Sequence, residues 1–532
     1  MNTFTTKHSI LALMLLIFTQ GVYAQTKEGS NWYFGIGAAM TWNQTQTIVD
    51  NGKTLTGMPT PLAGGSAMTN QEEGVFCMSD RNGNLLFYSD GMTIWNRNHQ
   101  VMPNGAGMFG HNSSAQSGIV IPYPEQPDKY IAFSMSLNNN SLGAPSNRLA
   151  YSIVDMTEDG GFGAVVTSEK NILLTGAKGI LGESVSAVRH SNNVDFWIVA
   201  VGKGNGENSA LNVWKVTSSG VQTTCVGSYQ LATNTSVNAG ANGYLRFSNN
   251  GESFAWGEYD RRMLHFGKFN PSTGAFSNIK NIDFQSDMRS IYGVEFSPSN
   301  EILYASSAYP TPAIFAFKFT ELLAAPNSAS FTSLTYRMVN FVNRVFALQL
   351  GPDERIYGTT QNTSQMAVID NPDDFDNATS HSINGLITGQ GRLGLPNFLP
   401  DIFTPTPKHG VIGANQTICN NTAPAQLTSI ADAECDTETI TYLWQRSTDS
   451  LSWSNATGTN NLSTYQPPAL TATTFYRRNA TSASCGTVHS NVVKITVGLT
   501  FSAGTISNTS TSIASGATPN AFTSTPVQCK CV

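Results

Sequence analysis

Charged residues are scarce in this sequence. Only 12% of its 532 residues are charged, about half the usual share for a soluble protein. The net charge is −6 and no long basic run occurs, which argues against nucleic acid or an anionic membrane as a main partner. Glycine, serine, threonine and asparagine are plentiful instead. Low charge with many turn formers favours short strands and tight turns over exposed helices.

Long apolar runs are also missing, except near the start. Lys7 lies in a short basic stretch, and the apolar run of residues 10–18 follows it. That run is too short for a membrane span, which takes about 20 apolar residues. Small residues up to Ala24 complete the pattern of a signal peptide over residues 1–24, with cleavage before Gln25. We therefore predict an exported protein without a transmembrane segment.

The apolar periodicity between residues 25 and 403 is mostly two, which indicates strands. A turn of Ser, Gly, Asn, Asp or Pro followed by an aromatic strand recurs there as a predicted hairpin. It occurs at Met78–Tyr88, Tyr123–Tyr130, His190–Trp197, Phe247–Trp256, Phe296–Tyr304 and Leu350–Tyr357. The mean spacing of about 54 residues fits one four-stranded blade and predicts a β-propeller of about seven blades. An unclosed pair of packed sheets tolerates the same strands without requiring the repeat.

Closure of such a ring requires its two ends to meet. The segments beginning at Trp32 and around Leu395–Phe398 are the predicted closing partners.

The sequence changes character after residue 403. Residues 404–409 are a stiff, proline-containing linker, and residues 410–498 are predicted to form an immunoglobulin-like sandwich with Trp444 on its buried strand. Residues 499–532 repeat the start of this module and then stop, so we expect an incomplete second repeat that is disordered.

No residue pattern indicates catalysis. The histidines of the propeller region have no metal-ligand spacing with one another or with a cysteine. Gly110–Ser117 places hydroxyls beside His111, but it lacks the strand–helix context of a nucleophile elbow. We predict no catalytic residue, no metal site and no cofactor.

Aromatic residues are the better indication of a binding surface. A propeller presents side chains from every blade on a concave loop face, which suits ligand capture. Trp95, Trp214, Trp256 and Tyr309 are the candidates for such a face. The alternative is that they pack between blades, since aromatic side chains dominate core energetics.

Several short motifs occur together in the first region. They are Asn31–Gly35, Gly83–Gly91, Ile94–Arg97, Gly110–Ser117, Ala347–Asp353, Val368–Pro372 and Leu393–Phe398. In combination they resemble the N-terminal propeller of large surface proteins from bacteria with a type IX secretion system. The second region resembles the immunoglobulin-like repeats that follow such propellers and lead to a sorting domain. The resemblance implies a secreted or outer-surface location and contact with the secretion machinery, but it supplies no catalytic residue. No sorting domain follows here, so a periplasmic location stays open.

Seven cysteines are too few for a disulfide scaffold, but three of them cluster in the second region of an exported chain. The resemblance implies a disulfide between Cys419 and Cys485. The loops of an immunoglobulin-like sandwich instead bring Cys435 to the same end as Cys485. Both pairings stay open.

Three classes of function follow. The first is a secreted or cell-surface binding or adhesion protein, in which the propeller recognises a glycan, polymer or protein and the C-terminal modules act as spacers. The second is a secreted hydrolase or lyase acting on polysaccharide, which two carboxylates or a histidine with a carboxylate at the propeller mouth would favour. The third is a purely structural surface protein.

Overall fold

A computed structural model describes most of the chain. The described residues are 27–137, 147–203, 209–231, 241–284, 288–310, 312–326, 329–330, 334–339, 341, 343–403, 410–433, 435, 439–482, 486–498, 506, 512–519 and 521–523. They fall into two compact units, residues 27–403 and the residues from 410 onwards.

Residues 27–403 contain seven sheets that follow one another along the chain. The first sheet consists of β1 (Asn31–Phe34), β2 (Ala38–Asp50) and β3 (Lys53–Pro61). The second sheet consists of β4 (Phe76–Ser79), β5 (Leu85–Ser89), β6 (Thr93–Asn96) and β7 (Val101–Ala106). The third sheet consists of β8 (Gly118–Pro122), β9 (Lys129–Met135), β10 (Leu149–Asp155), β11 (Ala164–Val165) and β12 (Ile172–Leu173).

The fourth and fifth sheets share the same antiparallel plan. They are β13 (Ile180–Arg189), β14 (Phe196–Lys203), β15 (Ala210–Thr217), β16 (Gly220–Val221) and β17 (Gly227–Gln230); and β18 (Leu245–Phe247), β19 (Ser253–Glu258), β20 (Met263–Asn270) and β21 (Ala275–Asp283).

The last two sheets of this unit have four strands each. They are β22 (Ser290–Phe296), β23 (Ile302–Tyr309), β24 (Ala313–Lys318) and β26 (Arg337–Val339); and β27 (Val345–Leu350), β28 (Ile356–Thr360), β29 (Met366–Asp370) and β30 (Thr379–Ile383). One helical turn, α1 (Phe319–Ala324), follows β24, and β25 (Ala329–Ser330) adds to the fifth sheet beside β21 in parallel.

All six predicted hairpins are confirmed, and they share one position in the architecture. Each recurring turn joins the first strand of a sheet to the second, as in β4–β5, β8–β9 and β13–β14, and again in β18–β19, β22–β23 and β27–β28. The repeat in the sequence is therefore a repeat of sheets, and the chain has the all-β propeller fold that it predicts.

Side chains in these turns replace hydrogen bonds that the ladder cannot supply. Asp80 Oδ1 accepts hydrogen bonds from the backbone N–H groups of Asn82, at 2.9 Å, and Asn84, at 2.8 Å. Asn192 Oδ1 does the same for Val194 and Asp195. Short polar side chains that bind the backbone two residues ahead favour turns over strands, which is why the hairpins reverse at these residues.

The first strands of the sheets form the inner layer of the unit. β1 contacts β4, β4 contacts β8, β8 contacts β13, β13 contacts β18, β18 contacts β22, and β22 contacts β27. These strands are buried along nearly their whole length; β22, Ser290–Phe296, is buried at every position. Strands buried on both faces lack the alternation of a half-exposed sheet.

The chain after β30 closes the ring. Ile36 and Gln390 exchange two backbone hydrogen bonds of 2.9 Å, and the rings of Trp32 and Phe398 lie 6.0 Å apart. The two predicted closing segments are therefore in contact. A Cβ atom on Gly394 would overlap the carbonyl oxygen of Glu73. Glycine at this position therefore lets the closing segment pass close to the residues that lead into β4.

The closing segment then runs through the centre of the inner strands. The Leu393 N–H donates to the Glu72 carbonyl at 2.9 Å, and the Leu393 carbonyl accepts from the Ala347 N–H at 3.1 Å. The segment thus lies between β27 and the residues that lead into β4.

Asn397 is the polar centre of this closure. Its side-chain amide donates to the carbonyls of Gly118 at 2.9 Å and Val185 at 2.8 Å, and its Oδ1 accepts from Arg246 at 2.7 Å. Its backbone N–H donates to Val75 at 2.8 Å. One buried side chain with its backbone therefore connects the first strands of three sheets and the residue directly before β4.

The C-terminal unit is described by itself. It comprises β31 (Val411–Ile412) paired with β33 (Ser429–Ala431), and a larger sheet of β32 (Gln416–Cys419), β34 (Thr441–Ser447), β35 (Ser454–Asn455), β36 (Thr474–Ser482), β37 (Gly486–His489) and β38 (Val493–Gly498). Trp444 is fully buried and stacks with Tyr465 at 5.6 Å. Trp444 is thus a core residue, as the sequence predicts, while the immunoglobulin-like assignment and the module boundaries stay predictions.

Candidate ligand-binding site

One end of the propeller gathers polar and aromatic side chains from several sheets. The first strands begin at this end, and because the sheets are antiparallel, the second strands end there; Ser290 at the start of β22 pairs with Tyr309 at the end of β23. We call this end the mouth and define it by Glu73, Ser113, Tyr259, Tyr292, Tyr309 and Arg344.

Glu73 is a partly exposed carboxylate at the mouth, held by two hydroxyl groups. Its Oε2 accepts a hydrogen bond of 2.6 Å from the Tyr292 hydroxyl, and its Oε1 accepts one of 3.1 Å from Ser113 Oγ. Desolvation raises the pKa of Glu73 to about 7, with a smaller contribution from the charge of Glu72, while the two hydroxyls oppose the shift. Near neutral pH this carboxyl group therefore exists in both protonation states.

Tyrosine side chains surround this carboxylate. The buried Tyr292 ring meets the ring of Tyr259 edge-on at 6.0 Å and that of Phe346 at 5.9 Å. Tyr309 packs its ring edge-on against Phe346 at 6.4 Å, and the guanidinium of Arg344 lies 4.1 Å from the centre of the Tyr309 ring. Tyr259 is partly exposed and Tyr309 is 37% exposed, so aromatic surface is available to a ligand.

A second carboxylate lies beneath the mouth. Glu183 is only 5% exposed. Its Oε2 accepts from the Ala115 N–H at 3.3 Å, and its carbonyl accepts from the Gln116 N–H at 2.9 Å. The charges of Glu73 and Glu183 both help to keep the pKa of Tyr292 well above its ordinary value, although burial is the largest cause. Glu183 positions a loop of the mouth from below.

That loop is the Gly110–Ser117 motif singled out in the sequence. His111 Nδ1 accepts from the Ser113 N–H at 3.0 Å, which leaves the Ser113 hydroxyl to reach Glu73. Further along, the Gln116 side chain exchanges two hydrogen bonds with the backbone of Leu245. The motif therefore shapes the mouth and links two sheets, rather than forming a nucleophile elbow.

The opposite end of the inner strands holds a second polar cluster. Arg246 is buried, with its Nε 3.5 Å from Glu295 Oε2, and it also donates to Gln349. Desolvation raises the pKa of Glu295, and Arg246 opposes the shift. The space beside these side chains, lined also by Phe398 and Phe403, is about 10 Å³, enough for one water. This cluster stabilises the ring closure.

Two histidine–carboxylate pairs occur among the described residues of the propeller. His265 Nε2 lies 2.8 Å from Glu258 Oε2, and Arg261 lies 3.1 Å from the other oxygen of Glu258; all three residues are buried. His381 pairs with Asp50 at 2.8 Å, between the last sheet and β2. Glu258 is the last residue of β19 and directly precedes Tyr259, so the buried Glu258–His265 pair lies at the mouth end of its sheet. The His381–Asp50 pair includes none of the mouth residues.

The predicted aromatic candidates lie in different environments. Trp214 and Trp256 are fully buried, and their indole N–H groups donate to the Thr175 carbonyl and to Ser184 Oγ, both at 3.0 Å. Trp95 is partly buried and stacks with Tyr88 at 5.5 Å. The packing alternative therefore describes Trp214 and Trp256. Trp95 is partly exposed, and its role in ligand binding stays a prediction; Tyr309 is the one of the four that lies at the mouth.

Glu73, Tyr259, Tyr292 and Arg344 were not singled out from the sequence. The consecutive acidic residues Glu72 and Glu73, directly before a buried strand, are the one local signal that marks this end of the sheet.

The cysteines divide between the two units. Cys77 and Cys225 are free thiols in the propeller, and Cys77 is buried. Cys419 and Cys435 are disulfide cysteines. Cys485, the predicted partner of either one, lies outside the described residues, so the pairing stays a prediction.

No helix among the described residues is long and apolar enough to cross a membrane. No group of three or more His, Cys, Asp or Glu side chains in the described part of the chain is arranged to hold a metal ion.

Comparison with known proteins adds the following. No curated protein matches the chain. A family model described as a domain of unknown function (DUF8696) matches residues 408–498. Among solved structures, a putative 6-phosphogluconolactonase from Bacteroides uniformis is similar with 12% identity and a TM-score of 0.37, over 76% of this chain and all of that one.

Two propeller domains are also similar. The Cps50 (Swd1) β-propeller of Myceliophteria thermophila has 12% identity and a TM-score of 0.35, covering 65% of this chain and 97% of that one. The Dos1 propeller has 8% identity and a TM-score of 0.42, covering 71% and 91%. These likenesses concern the fold alone.

Proposed function

We propose that this chain is an exported binding protein whose propeller recognises a glycan at the mouth. The observation that carries the proposal is the juxtaposition of partly exposed tyrosine surface, at Tyr259 and Tyr309, with the Glu73 carboxyl group. Sugar rings pack their C–H faces on aromatic rings, and their hydroxyls need convergent polar partners. The mouth offers both within one surface.

The remainder of the proposal concerns the other parts of the chain. Residues 1–24 act as a signal peptide, residues 25–403 form a propeller of about seven blades, and residues 410–498 form an immunoglobulin-like spacer after the 404–409 linker. Export leads to secretion or to the outer cell surface through a type IX pathway. The support is the sequence resemblance and the signal-peptide pattern.

A glycan array probed with the purified full chain tests this function. We expect binding that Tyr309→Ala weakens, because that substitution removes exposed aromatic surface while the backbone pairing of residue 309 with Ser290 is kept. If correctly folded protein, checked by its cooperative unfolding, binds no glycan on the array, the proposal is wrong.

A second function is favoured by one specific observation. A carboxyl group with a pKa near 7, fixed by the Tyr292 hydroxyl, is matched to general acid–base catalysis at neutral pH. The enzymatic candidate is a polysaccharide hydrolase or lyase in which Glu73 moves the proton. Incubation with a panel of polysaccharides should then release new ends, and Glu73→Gln should abolish their release. Binding without turnover favours the first function.

A further inference from the structure

Arg344 differs from Arg392, an arginine that lies beside Glu72. Arg392 forms an ion pair with Glu72. Arg344 is exposed, and within the described part of the chain no carboxylate lies at ion-pair distance from it. Its guanidinium therefore retains its hydrogen-bond donors for a ligand.

A cation–π contact with Tyr309 restrains the position of this guanidinium. With the Arg344 guanidinium 4.1 Å from the Tyr309 ring centre, the cation covers one part of the ring while its N–H groups stay at the edge of the guanidinium plane. A planar, stacked guanidinium loses little freedom on binding, and its fork matches the oxygens of a carboxylate or a sulfate.

The acidic groups of the mouth do not cancel this positive charge. Glu72 is neutralised by Arg392, and Glu183 is buried and bonded to the Ala115 N–H. Glu73 is partly protonated near neutral pH because burial raises its pKa to about 7. Asp260, beside Tyr259, is an exposed carboxylate that adds negative charge to this surface, so the positive charge offered to a ligand is confined to Arg344 on the Tyr309 side of the mouth.

We propose that the ligand is an acidic glycan, whose carboxylate or sulfate group binds Arg344 while the adjoining sugar ring covers the exposed part of Tyr309. This inference rests on the proposed glycan-binding function and specifies the chemistry of its ligand. A uronate presents two coplanar carboxylate oxygens to the guanidinium, and a sulfate ester presents three terminal oxygens; both accept hydrogen bonds from it. Separate probes distinguish the two groups.

Calorimetry with matched pairs of oligosaccharides tests the inference on the full chain. The first pair is tetragalacturonate and its carboxyl-reduced, neutral counterpart. The second pair is a chondroitin sulfate tetrasaccharide and its desulfated counterpart. In at least one pair, we expect the oligosaccharide with the anionic group to have an affinity roughly 10-fold higher, or more, than that of its counterpart. This is the scale of a charge-assisted hydrogen-bonded pair. The advantage should shrink with added salt.

Substitution of Arg344 locates the effect. Arg344→Gln should remove most of the preference, and Arg344→Lys should restore part of it, because lysine keeps the charge without the planar fork. Arg97 provides the matched control, since it is also exposed and stacks on an aromatic ring, Phe162, at 4.4 Å, but lies in the turn between β6 and β7. Arg97→Gln should leave binding unchanged.

The possible failures are distinguishable. If both members of each pair bind equally and Arg344→Gln has no effect, the acidic-glycan inference is wrong and the proposed binding function stands. If no glycan of any charge binds, both are wrong.

Discussion

The Tyr292 hydroxyl donates a 2.6 Å hydrogen bond to Glu73 across the mouth. The two residues are 219 positions apart, and they belong to the start of β22 and to the segment before β4. A phenol with a pKa far above its ordinary value stays protonated, so the donor role of Tyr292 is fixed at all physiological pH values. The bond holds the Glu73 carboxyl in one orientation at the surface of the propeller.

Burial of Glu73 should make the stability of the protein depend on pH. Its pKa is raised from 4.5 to about 7 in the folded state, so the folded protein binds more protons than the unfolded chain in this window. The free energy of unfolding should therefore fall as pH rises from 4.5 to 7, by about 2–3 kcal/mol. Glu73→Gln should remove this part of the pH dependence in urea unfolding at pH 5 and pH 8.

The control for this prediction is Glu158→Gln, at an exposed position. It should retain the pH dependence of the wild-type protein. An identical slope in the wild-type and Glu73→Gln proteins would contradict the assignment.

Asn397 should contribute strongly to stability. Replacement by alanine removes the hydrogen bonds that the Asn397 side chain forms with the carbonyls of Gly118 and Val185 and with the Arg246 guanidinium. Unsatisfied buried groups of this kind cost about 3–5 kcal/mol together. Urea unfolding monitored by tryptophan fluorescence measures the loss. The exposed Asn98→Ala should change stability by less than about 0.5 kcal/mol; a loss below 1 kcal/mol for Asn397→Ala would show that the closure tolerates its removal.

The two free thiols of the propeller should react differently with a maleimide. Cys77 is buried, its Sγ donates to the Asn31 carbonyl at 3.0 Å, and burial raises its pKa to about 12. Cys225 is partly exposed. Since the thiolate is the reactive form, peptide mapping after labelling of the native protein at pH 7.5 should find label on Cys225 and none on Cys77. Label on Cys77 before unfolding would contradict its burial.

The disulfides of the C-terminal unit can be mapped without reduction. We predict a peptide that links Cys485 to Cys419 or to Cys435, because Cys419 and Cys435 are disulfide cysteines. A free thiol at Cys485 would exclude both pairings.

The sequence predicts the repeated hairpins because they depend on local chemistry. Asp80 and Asn192 form turns by binding backbone groups two or three residues away, and such patterns are visible in a short window. The closing contact between Trp32 and Phe398 could also be anticipated, since a ring must close at its ends.

The mouth could not be predicted in the same way. Glu73, Tyr292 and Arg344 are brought together by sheets that are far apart in the chain, and no spacing connects them. The aromatic candidates are ambiguous in sequence for a different reason. A large aromatic side chain gives the same local pattern whether it packs inside, as Trp256 does, or lies at the mouth, as Tyr309 does. Burial separates them, and burial is decided by the neighbouring sheets.

Glycan binding by matched tyrosine variants tests the central claim most directly. Tyr309 and Tyr336 are both 37% exposed, but Tyr336 packs on Phe315 and Phe317 of β24, away from the mouth residues. On a glycan array, with affinities then measured by calorimetry, Tyr309→Ala should weaken binding at least about 10-fold, as loss of a stacking aromatic does, and Tyr336→Ala should bind as the wild type does. Equal binding by all three proteins, or a loss confined to Tyr336→Ala, would contradict a ligand site at the mouth.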